Sequence, residues 1–444
     1  MNRWDVDSKE KVGGERFFNH MEVDYSSILS TQSLEAGVIS GKHLLCIGDT
    51  TSLSFTHLGR LQAQDQSIGR LEDNKSIGYF VHPNLLLDAS NGLALGYGSV
   101  QMWARPLHSP LRKGAEHQGL PIEEKESFRW LSGIDASRQS CPSAAQITCI
   151  HDRESDIYEL FARIARTHLI VRSSWNRLLA SGELLQTHLD KLAGHPTDVY
   201  SLEVPATQHR HKRKATLAVK YAQITLQKPK NKSALLPNDP DTVSIYVVEA
   251  TEISELPAGE KPIHWRILTT HPIETFWDAC QILVWYSYRW WIEDLFRLLK
   301  TEGFQIEKSQ LGTGQALQNL TAATMLTALQ VLNLRQVNKM QDTETPANIC
   351  LDEDTIDFLE SYQPQMEGKT TLQQNPYPTH TLLWASWLIA RMGGWNPHSK
   401  KNDPKRTYGV TTLLRGMQRL QQKVEGWKWA KHTLNHDAKN KQNE

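Results

Sequence analysis

Three features are scarce in this 444-residue chain: paired cysteines, net charge and long apolar runs. The five cysteines are scattered and show no C-x-x-C spacing, which argues against a structural zinc site and against a disulfide framework. This cysteine usage fits a reducing cytoplasm. The N-terminal residues contain no apolar core of the signal-peptide type.

The longest apolar region, residues 77–102, is interrupted by polar residues and a proline, so we expect no membrane span. Lys and Arg together number 49 and balance 49 Asp and Glu. This composition excludes a small, strongly basic DNA-binding module, and a nucleic-acid role would need charge segregated into a groove. The length allows one large core or two to three domains.

The first half of the chain reads as a mixed α/β unit. Short buried or alternating segments predict strands over residues 43–47, 77–87, 93–103, 144–150 and 168–173. Apolar spacing predicts helices over residues 123–138 and 154–166. Asn91-Gly92 is a strong hairpin-turn signal between the second and third strands.

The second half changes character twice. Residues 183–271 are rich in alternating β-type segments, and residues 272–341 have a helical pattern. An acidic, loop-rich stretch is predicted through His380, followed by helices over residues 382–394 and 413–430. The polar tail, residues 436–444, is expected to be disordered.

Two aspartates stand where predicted strands end, Asp49 and Asp152. A carboxylate at the edge of a buried strand is held rigidly while its oxygens stay open to solvent, as Mg²⁺ requires. The two would lie close together if the first and fourth strands are neighbours. Each also has a simpler interpretation as a turn residue or helix N-cap, and Asp152 could cap the helix at 154–166.

The segment from Tyr286 to Lys300 carries the strongest charge pattern in the chain. On one α-helix Tyr286, Arg289, Glu293 and Lys300 would fall within a stripe roughly 60° wide, with Arg297 at its edge. The opposite side is apolar and suited to packing on a core. Such a row of one carboxylate among cations could hold a metal ion and bind phosphates.

A salt-bridged surface helix is the alternative for this segment, because Glu293 has arginines four residues away on each side. Trp290 argues against that alternative. It lies beside the charged stripe and not on the apolar face, where its ring could stack on a nucleobase.

The spacing of Tyr286, Arg289, Glu293 and Lys300 resembles the signature of DDE transposases of the insertion-sequence-four group, which includes the Tn-five-type enzymes. IGDTTSLSF around Asp49 and HDRESDIYEL around Asp152 resemble the family's two aspartate motifs. The similarity runs from about Gly13 to Trp429, nearly the whole chain. It implies a ribonuclease-H-like α/β catalytic core with a β-rich insertion and an α-helical C-terminal domain.

By this resemblance Asp49, Asp152 and Glu293 form the catalytic triad and hold two Mg²⁺ or Mn²⁺ ions. Asp49 would bridge the ions, with Asp152 and Glu293 each holding one. One ion would activate a water or 3′-hydroxyl, and the other would stabilise the leaving oxygen. Ions roughly 3.5–4 Å apart are usual for such phosphoryl transfer.

The resemblance also implies the DNA contacts. Tyr286, Arg289 and Lys300 would bind phosphates near the cleaved bond, with Arg297 as a further contact. Family members cut through a hairpin intermediate and hold a flipped base. Trp265 matches the base-stacking position, and Trp290 matches a second aromatic nearby.

The implied organisation is a short N-terminal remnant (1–40), a core in two parts (41–182 and 272–340) around the β insertion (183–271), and a helical dimerisation region (341–444). Expected partners are transposon-end and target double-stranded DNA, bound by a homodimer in a bacterial cytoplasm, at the nucleoid when acting. The family's N-terminal end-recognition domain is not matched here. This leaves open a truncated, non-catalytic inhibitor acting through mixed dimers, or a metal-dependent nuclease.

Overall fold

The structure is a computed structural model in which the chain forms two compact units. The core unit comprises residues 33–292, and the helical unit comprises residues 1–32 with 293–444. The residues that the structure describes are 8–32, 36–58, 66–107, 120–192, 198–204, 211–230, 238–301, 303–396 and 408–442.

The described residues contain eleven strands, and all belong to one mixed sheet in the core unit. They are β1 His43–Gly48, β2 Thr51–Ser54, β3 Gly69–Arg70, β4 Ile77–Asp88, β5 Ala94–Trp103, β6 Gln146–His151, β7 His168–Arg172, β8 Val199–Val204, β9 Arg213–Gln227, β10 Thr242–Glu252 and β11 His264–Thr269.

Twelve α-helices lie in the described residues. They are α1 Ser8–Phe18, α2 Tyr25–Ser30, α3 Ala36–Ile39, α4 Phe128–Ser140, α5 Tyr158–Arg163, α6 Leu185–Lys191, α7 Phe276–Ser287, α8 Trp290–Lys300, α9 Gly314–Met340, α10 Glu353–Met366, α11 Leu382–Met392 and α12 Val410–Gln442.

The centre of the sheet is built from the strands predicted in the first half of the chain. The order across the sheet is β2-β4-β1-β6-β7-β11-β10-β9-β8, and β5 pairs with the other side of β4. β1 is parallel to β6, which is parallel to β7, whereas β4 is antiparallel to both β1 and β5. The hairpin predicted at Asn91-Gly92 is confirmed, and Gly92 has a φ of 69° that favours glycine.

The β-rich region predicted over residues 183–271 continues this sheet. β11 pairs antiparallel with β7, and β10, β9 and β8 follow in antiparallel order. The region also contains a helix that the β-type pattern did not predict, α6. The strands of this region therefore extend the central sheet beyond β7 and do not form a separate sheet.

One face of the central strands carries the apolar core of this unit. Alternate residues of β1, β6 and β7, such as Leu44, Cys149 and Leu169, are buried in the same cluster as Trp130 and Ile134 of α4. This alternation is the period of two that one sheet face requires. Fully burying side chains of this size contributes roughly 1.5–3 kcal/mol each.

Two predicted helices in this unit are shorter than the pattern suggested. The helix expected over 123–138 begins at Phe128, after a 3-10 turn at Ile122–Glu124. The helix expected over 154–166 is only Tyr158–Arg163, because a 3-10 turn at Arg153–Ser155 precedes it.

In the helical unit, α9 is the longest buried helix and α11 is buried on nearly all sides. Asn319 of α9 donates to the carbonyl oxygens of Phe18 (3.0 Å) and Val23 (2.8 Å), which ties the segment between α1 and α2 to α9. None of the helices in the described ranges has the length and apolar character of a membrane span.

One prediction for this unit is wrong. The stretch expected to be loop-rich through His380 contains α10, whose N-cap Asp352 accepts from the backbone N–H of Thr355 at 2.8 Å. The acidic composition of this stretch is typical of a solvated loop, but Asp and Glu residues in the first turn of α10 stabilise its N-terminus. The disorder expected at 436–444 stays a prediction; α12 extends to Gln442 in the structure.

A buried histidine makes the stability of the core unit depend on pH. His271 stacks on His168 with 4.0 Å between ring centroids, and its Nε2 lies 2.8 Å from Thr148 Oγ1. Burial, together with the nearby His168 and His43, lowers the pKa of His271 to about 3 from its ordinary 6.5. Its stabilising contribution is therefore complete above pH 6.5 and is lost as the pH falls towards 3.

We expect the free energy of unfolding to fall by on the order of 1–2 kcal/mol from this group between pH 7 and pH 5. His271→Asn should flatten that dependence in urea unfolding curves measured at both pH values. The exposed His57 provides the matched control, His57→Asn. An equal loss in His271→Asn and wild type would contradict the assignment.

Candidate active site

Asp49 and Asp152 lie at the same edge of the sheet. Asp49 directly follows β1, and Asp152 directly follows β6. These strands are parallel neighbours with Ile47 in register with Ile150, so continuing the register by two residues sets Asp49 opposite Asp152. The sequence-based condition that these two strands are neighbours is confirmed. Neighbouring strands lie about 4.8 Å apart, which keeps the two residues close.

Asp49 and Thr50 form a two-residue break between β1 and β2, which both pair with β4. The register places Pro83 of β4 opposite Asp49, since Gly48 pairs with Asn84 and Thr51 with Val81. Proline has no backbone N–H to contribute to a ladder. The Asp49 carboxylate accepts the N–H of Thr50 at 2.7 Å. Asp49 therefore lies where the pairing with β4 is interrupted, directly after the end of β1.

Arg289 reaches this carboxylate. Its Nη1 lies 3.3 Å from Oδ2 of Asp49, and both side chains are mostly buried. The guanidinium also lies 5.7 Å from the ring centroid of Trp290, whose side chain is 54% exposed. The exposed Trp290 beside a cation, predicted from the sequence, is thus observed. Arg289 joins the segment between α7 and α8 to the end of β1.

Asp152 acts as the N-cap of a 3-10 turn. Its Oδ1 accepts the backbone N–H of Glu154 at 2.9 Å. The capping alternative considered for this residue is therefore realised, although for Arg153–Ser155 and not for a long helix. Capping uses one of the two oxygens, and a carboxylate offers about four lone-pair sites. The cap fixes the orientation of the Asp152 side chain at the end of β6.

Arg129 is a residue of this region that sequence reasoning missed. It is the second residue of α4, and it connects the two strand ends. Its Nε donates to Thr50 Oγ1 at 2.9 Å, and its Nη2 contacts Glu154 Oε2 at 2.6 Å. Thr50 and Glu154 are far from Arg129 in sequence, so the only signal in the sequence is an arginine beside a tryptophan within the helix predicted over 123–138.

The charge of Arg129 is balanced by its surroundings. Burial lowers the pKa of Arg129, while the neighbouring carboxylates, including Asp49 and Asp152, act in the opposite direction. The guanidinium lies 5.1 Å from the ring centroid of Trp130, a stabilising cation–π distance. Arginine stays protonated in proteins, so a fixed positive charge stands beside both aspartates.

Two buried histidines support the strand ends. His82 Nδ1 lies 2.9 Å from Thr50 Oγ1. Burial, with the charge of Arg129, lowers the pKa of His151 to about 3 and lowers that of His82 as well. Both imidazoles are therefore neutral at physiological pH. They fill the space under the site without adding a second buried charge next to Arg129.

The prediction of one continuous helix from Tyr286 to Lys300 is wrong. α7 ends at Ser287 and α8 begins at Trp290. The N–H of Arg289 bonds to the carbonyl of Tyr286 and that of Ile292 to Arg289, so the connection is made by i→i−3 bonds. This junction has three residues per turn instead of 3.6, so the side chains before and after it no longer point in the directions calculated for one α-helix. The single charged stripe predicted from Tyr286 to Lys300 is therefore lost.

Tyr286 and Trp265 form an aromatic pair in the core unit. Their ring centroids are 5.5 Å apart in an edge-to-face arrangement. Tyr286 is only 4% exposed, and Trp265 on β11 is half-buried. Tyr286 therefore supports Trp265 from the end of α7, and Trp265 stays partly exposed.

The remaining predicted site residues, Glu293, Arg297 and Lys300, lie in α8 on the helical-unit side of the boundary. Glu293 is in the first turn, and Arg297 and Lys300 are in the last. Arg297 forms an ion pair with Asp294, which is also bound by Arg335 at 2.8 Å. The apolar face predicted for this helix is confirmed by the burial of Trp291, Leu295 and Leu298.

The described part of the chain contains no group of three His, Cys, Asp or Glu side chains arranged to hold a metal ion. The core unit brings together two carboxylates, Asp49 and Asp152, and two arginines, Arg289 and Arg129. Such an edge can bind cations through the carboxylates and phosphates through the guanidinium groups. A comparison with models of known protein families finds no match for this chain.

Gly48 is required by the close packing under Asp49. A Cβ at this position would lie 2.9 Å from both Asn84 Oδ1 and His151 Nε2. Gly48→Ala should therefore displace the end of β1 and lower stability by about 1–3 kcal/mol in chemical denaturation. The control is Gly426→Ala in α12, where nothing lies within 4 Å of the added Cβ. Equal stabilities of the two variants would contradict this packing argument.

Proposed function

We propose that this chain is a metal-dependent enzyme that cleaves and joins DNA, a DDE transposase of the Tn-five type with a ribonuclease-H-like core. The observation that carries the proposal is the placement of Asp49 and Asp152 at the ends of adjacent parallel strands, with Arg289 on Asp49. Asp49, Asp152 and Arg289 are also residues of the motifs that resemble those of the family.

The strand arrangement supports the proposed core. Three strands that pair as neighbours, β5, β4 and β1, precede α4 in the chain, and β6 and β7 then continue the sheet in parallel with β1. This is the order of strands and helices expected from the resemblance. Function follows from the side chains of a site, so Asp49 and Asp152 at the strand ends carry the proposal.

The donor chemistry at this edge fits a divalent metal ion. Magnesium takes carboxylate oxygens and retains waters for substrate phosphates, and Asp49 already has a cation at 3.3 Å in the guanidinium of Arg289. Asp49, Asp152 and Glu293 are the residues proposed to hold Mg²⁺ or Mn²⁺. Bound metal ions would supply activation of a water or 3′-hydroxyl and stabilisation of the leaving oxygen.

The protein's own groups have distinct tasks in this proposal. Arg289 is positioned to bind either the Asp49 carboxylate or a DNA phosphate, so it couples the carboxylate edge to the substrate. Arg129 holds the two strand ends at a fixed spacing through Thr50 and Glu154. Positioning of this kind matters because small displacements of reacting groups reduce rates strongly.

The aromatic side chains are proposed to hold an unstacked base. Trp265 is partly exposed and is supported by Tyr286, while Trp290 lies beside Arg289. Arg297 and Lys300 are proposed as phosphate contacts on α8, as the resemblance implies. The partners in this proposal are transposon-end and target DNA, bound by a homodimer.

The test is magnesium-dependent nicking of plasmid DNA by the purified full chain. Asp49→Asn, Asp152→Asn and Glu293→Gln should each lower the rate by more than roughly 100-fold, because changes around metal ligands alone already cost 10–100-fold. Asp135→Asn is the matched control, since Asp135 is exposed and forms its ion pair with Arg138 on the same helix, α4.

A second readout is independent of catalysis. Mn²⁺ should raise the midpoint of thermal unfolding of the wild type and of Asp135→Asn, and raise it less for Asp49→Asn, since a ligand stabilises the state that binds it. Nicking without preference for any end sequence would favour a nuclease. Full activity of all three carboxylate variants would rule out the proposed site.

A further inference from the structure

The segment after β7 lies beside the candidate active site. β7 is the parallel neighbour of β6, so both strands end at the edge that holds Asp152. The hydroxyl of Ser174 donates to the carbonyl oxygen of Arg153 at 3.2 Å, and Arg153 is the residue next to Asp152. Trp175 follows immediately and is 64% exposed. An exposed indole is therefore carried by the backbone next to a proposed metal ligand.

A buried carboxylate fixes this segment. The Asp156 side chain is fully buried, and its Oδ2 accepts the backbone N–H groups of Ser174 at 2.7 Å and Trp175 at 3.2 Å. Its Oδ1 accepts from Nε of Arg177 at 3.0 Å. Removing one partner of such a buried pair is strongly destabilising. The backbone that presents Trp175 is therefore held in place before any ligand arrives.

The neighbours of Trp175 are aromatic and basic. The N–H of Ser173 donates to the carbonyl of Arg266 at 2.8 Å, which continues the pairing of β7 with β11. This brings the segment alongside Trp265, the next residue back along β11. Arg153, whose carbonyl accepts from Ser174, is an exposed cation.

Exposure alone would not distinguish Trp175, because single apolar residues are common on protein surfaces. Trp277 at the start of α7 is more exposed, at 76%, and serves as such an example. Trp175 differs in that a buried carboxylate binds its own N–H and in its position beside Asp152, Arg153 and Trp265. Aromatic rings next to cations along one edge are how proteins bind single-stranded nucleic acid.

We propose that Trp175 stacks on an unpaired nucleobase of DNA bound at the candidate active site, with Arg153 contacting the adjoining phosphate. The proposal rests on the proposed function, because that function supplies the DNA. Trp175, in the segment after β7, would be a second base-stacking position in addition to Trp265.

The experiment measures binding of the full chain to a labelled single-stranded oligothymidine by fluorescence anisotropy, in EDTA so that no cleavage occurs. Trp175→Ala should weaken binding by about 5- to 150-fold, the range measured for the loss of one stacked base. Trp175→Phe should restore most of the affinity, because it keeps an aromatic face. Trp277→Ala, the matched control, should bind as the wild type does.

Salt dependence separates stacking from charge. Arg153→Gln should lower the slope of log K against log salt concentration by about one phosphate contact, whereas Trp175→Ala should leave the slope unchanged. Wild-type affinity in a folded Trp175→Ala variant would overturn the proposal, as would failure of the wild type to bind the oligothymidine. Failure of the proposed function would be seen in the plasmid-nicking assay, where the Asp49→Asn variant would keep its magnesium-dependent activity.

Discussion

The parallel pairing of β1 with β6 is the constraint on which the candidate site depends. The pairing fixes Ile47 opposite Ile150, and both strands end one residue later, at Gly48 and His151. Because both strands are buried, their ends cannot slide against each other without exposing apolar side chains. The short distance between Asp49 and Asp152 is therefore set by the pairing of β1 with β6 and not by a loop. Gly48 lets this end of β1 pack tightly on Asn84 and His151.

Electrostatics explains the residues that surround this edge. Two carboxylates held close together repel each other unless cations compensate them. Arg289 meets Asp49 directly, and Arg129 lies near both aspartates while bonding to the loops that carry them. The buried imidazoles below are kept neutral, so they add no competing charge. Arg289 and Arg129 thus compensate the charge of the two carboxylates at this edge.

Much of this unit could be predicted from sequence, for identifiable physical reasons. Strands such as β1, β4 and β6 show buried or alternating side chains, and a polar residue after a buried strand indicates a sheet edge. The junction at Tyr288 and Arg289 could not be predicted, because the change to i→i−3 bonding leaves no mark in residue type. Arg129 was missed because its partners Thr50 and Glu154 are distant in sequence. The helix α10 was missed because acidic residues that favour a helix N-terminus also suit a solvated loop.

The most direct test of the proposed carboxylate site is the location of Mn²⁺, by anomalous diffraction, in crystals of the full chain grown with Mn²⁺ and DNA. We expect an anomalous peak at about 2–2.5 Å from carboxylate oxygens of both Asp49 and Asp152, with Arg289 moved from Asp49 to a DNA phosphate. A peak elsewhere, or an intact pair between Arg289 and Asp49 with DNA bound and no metal between the two aspartates, would contradict it.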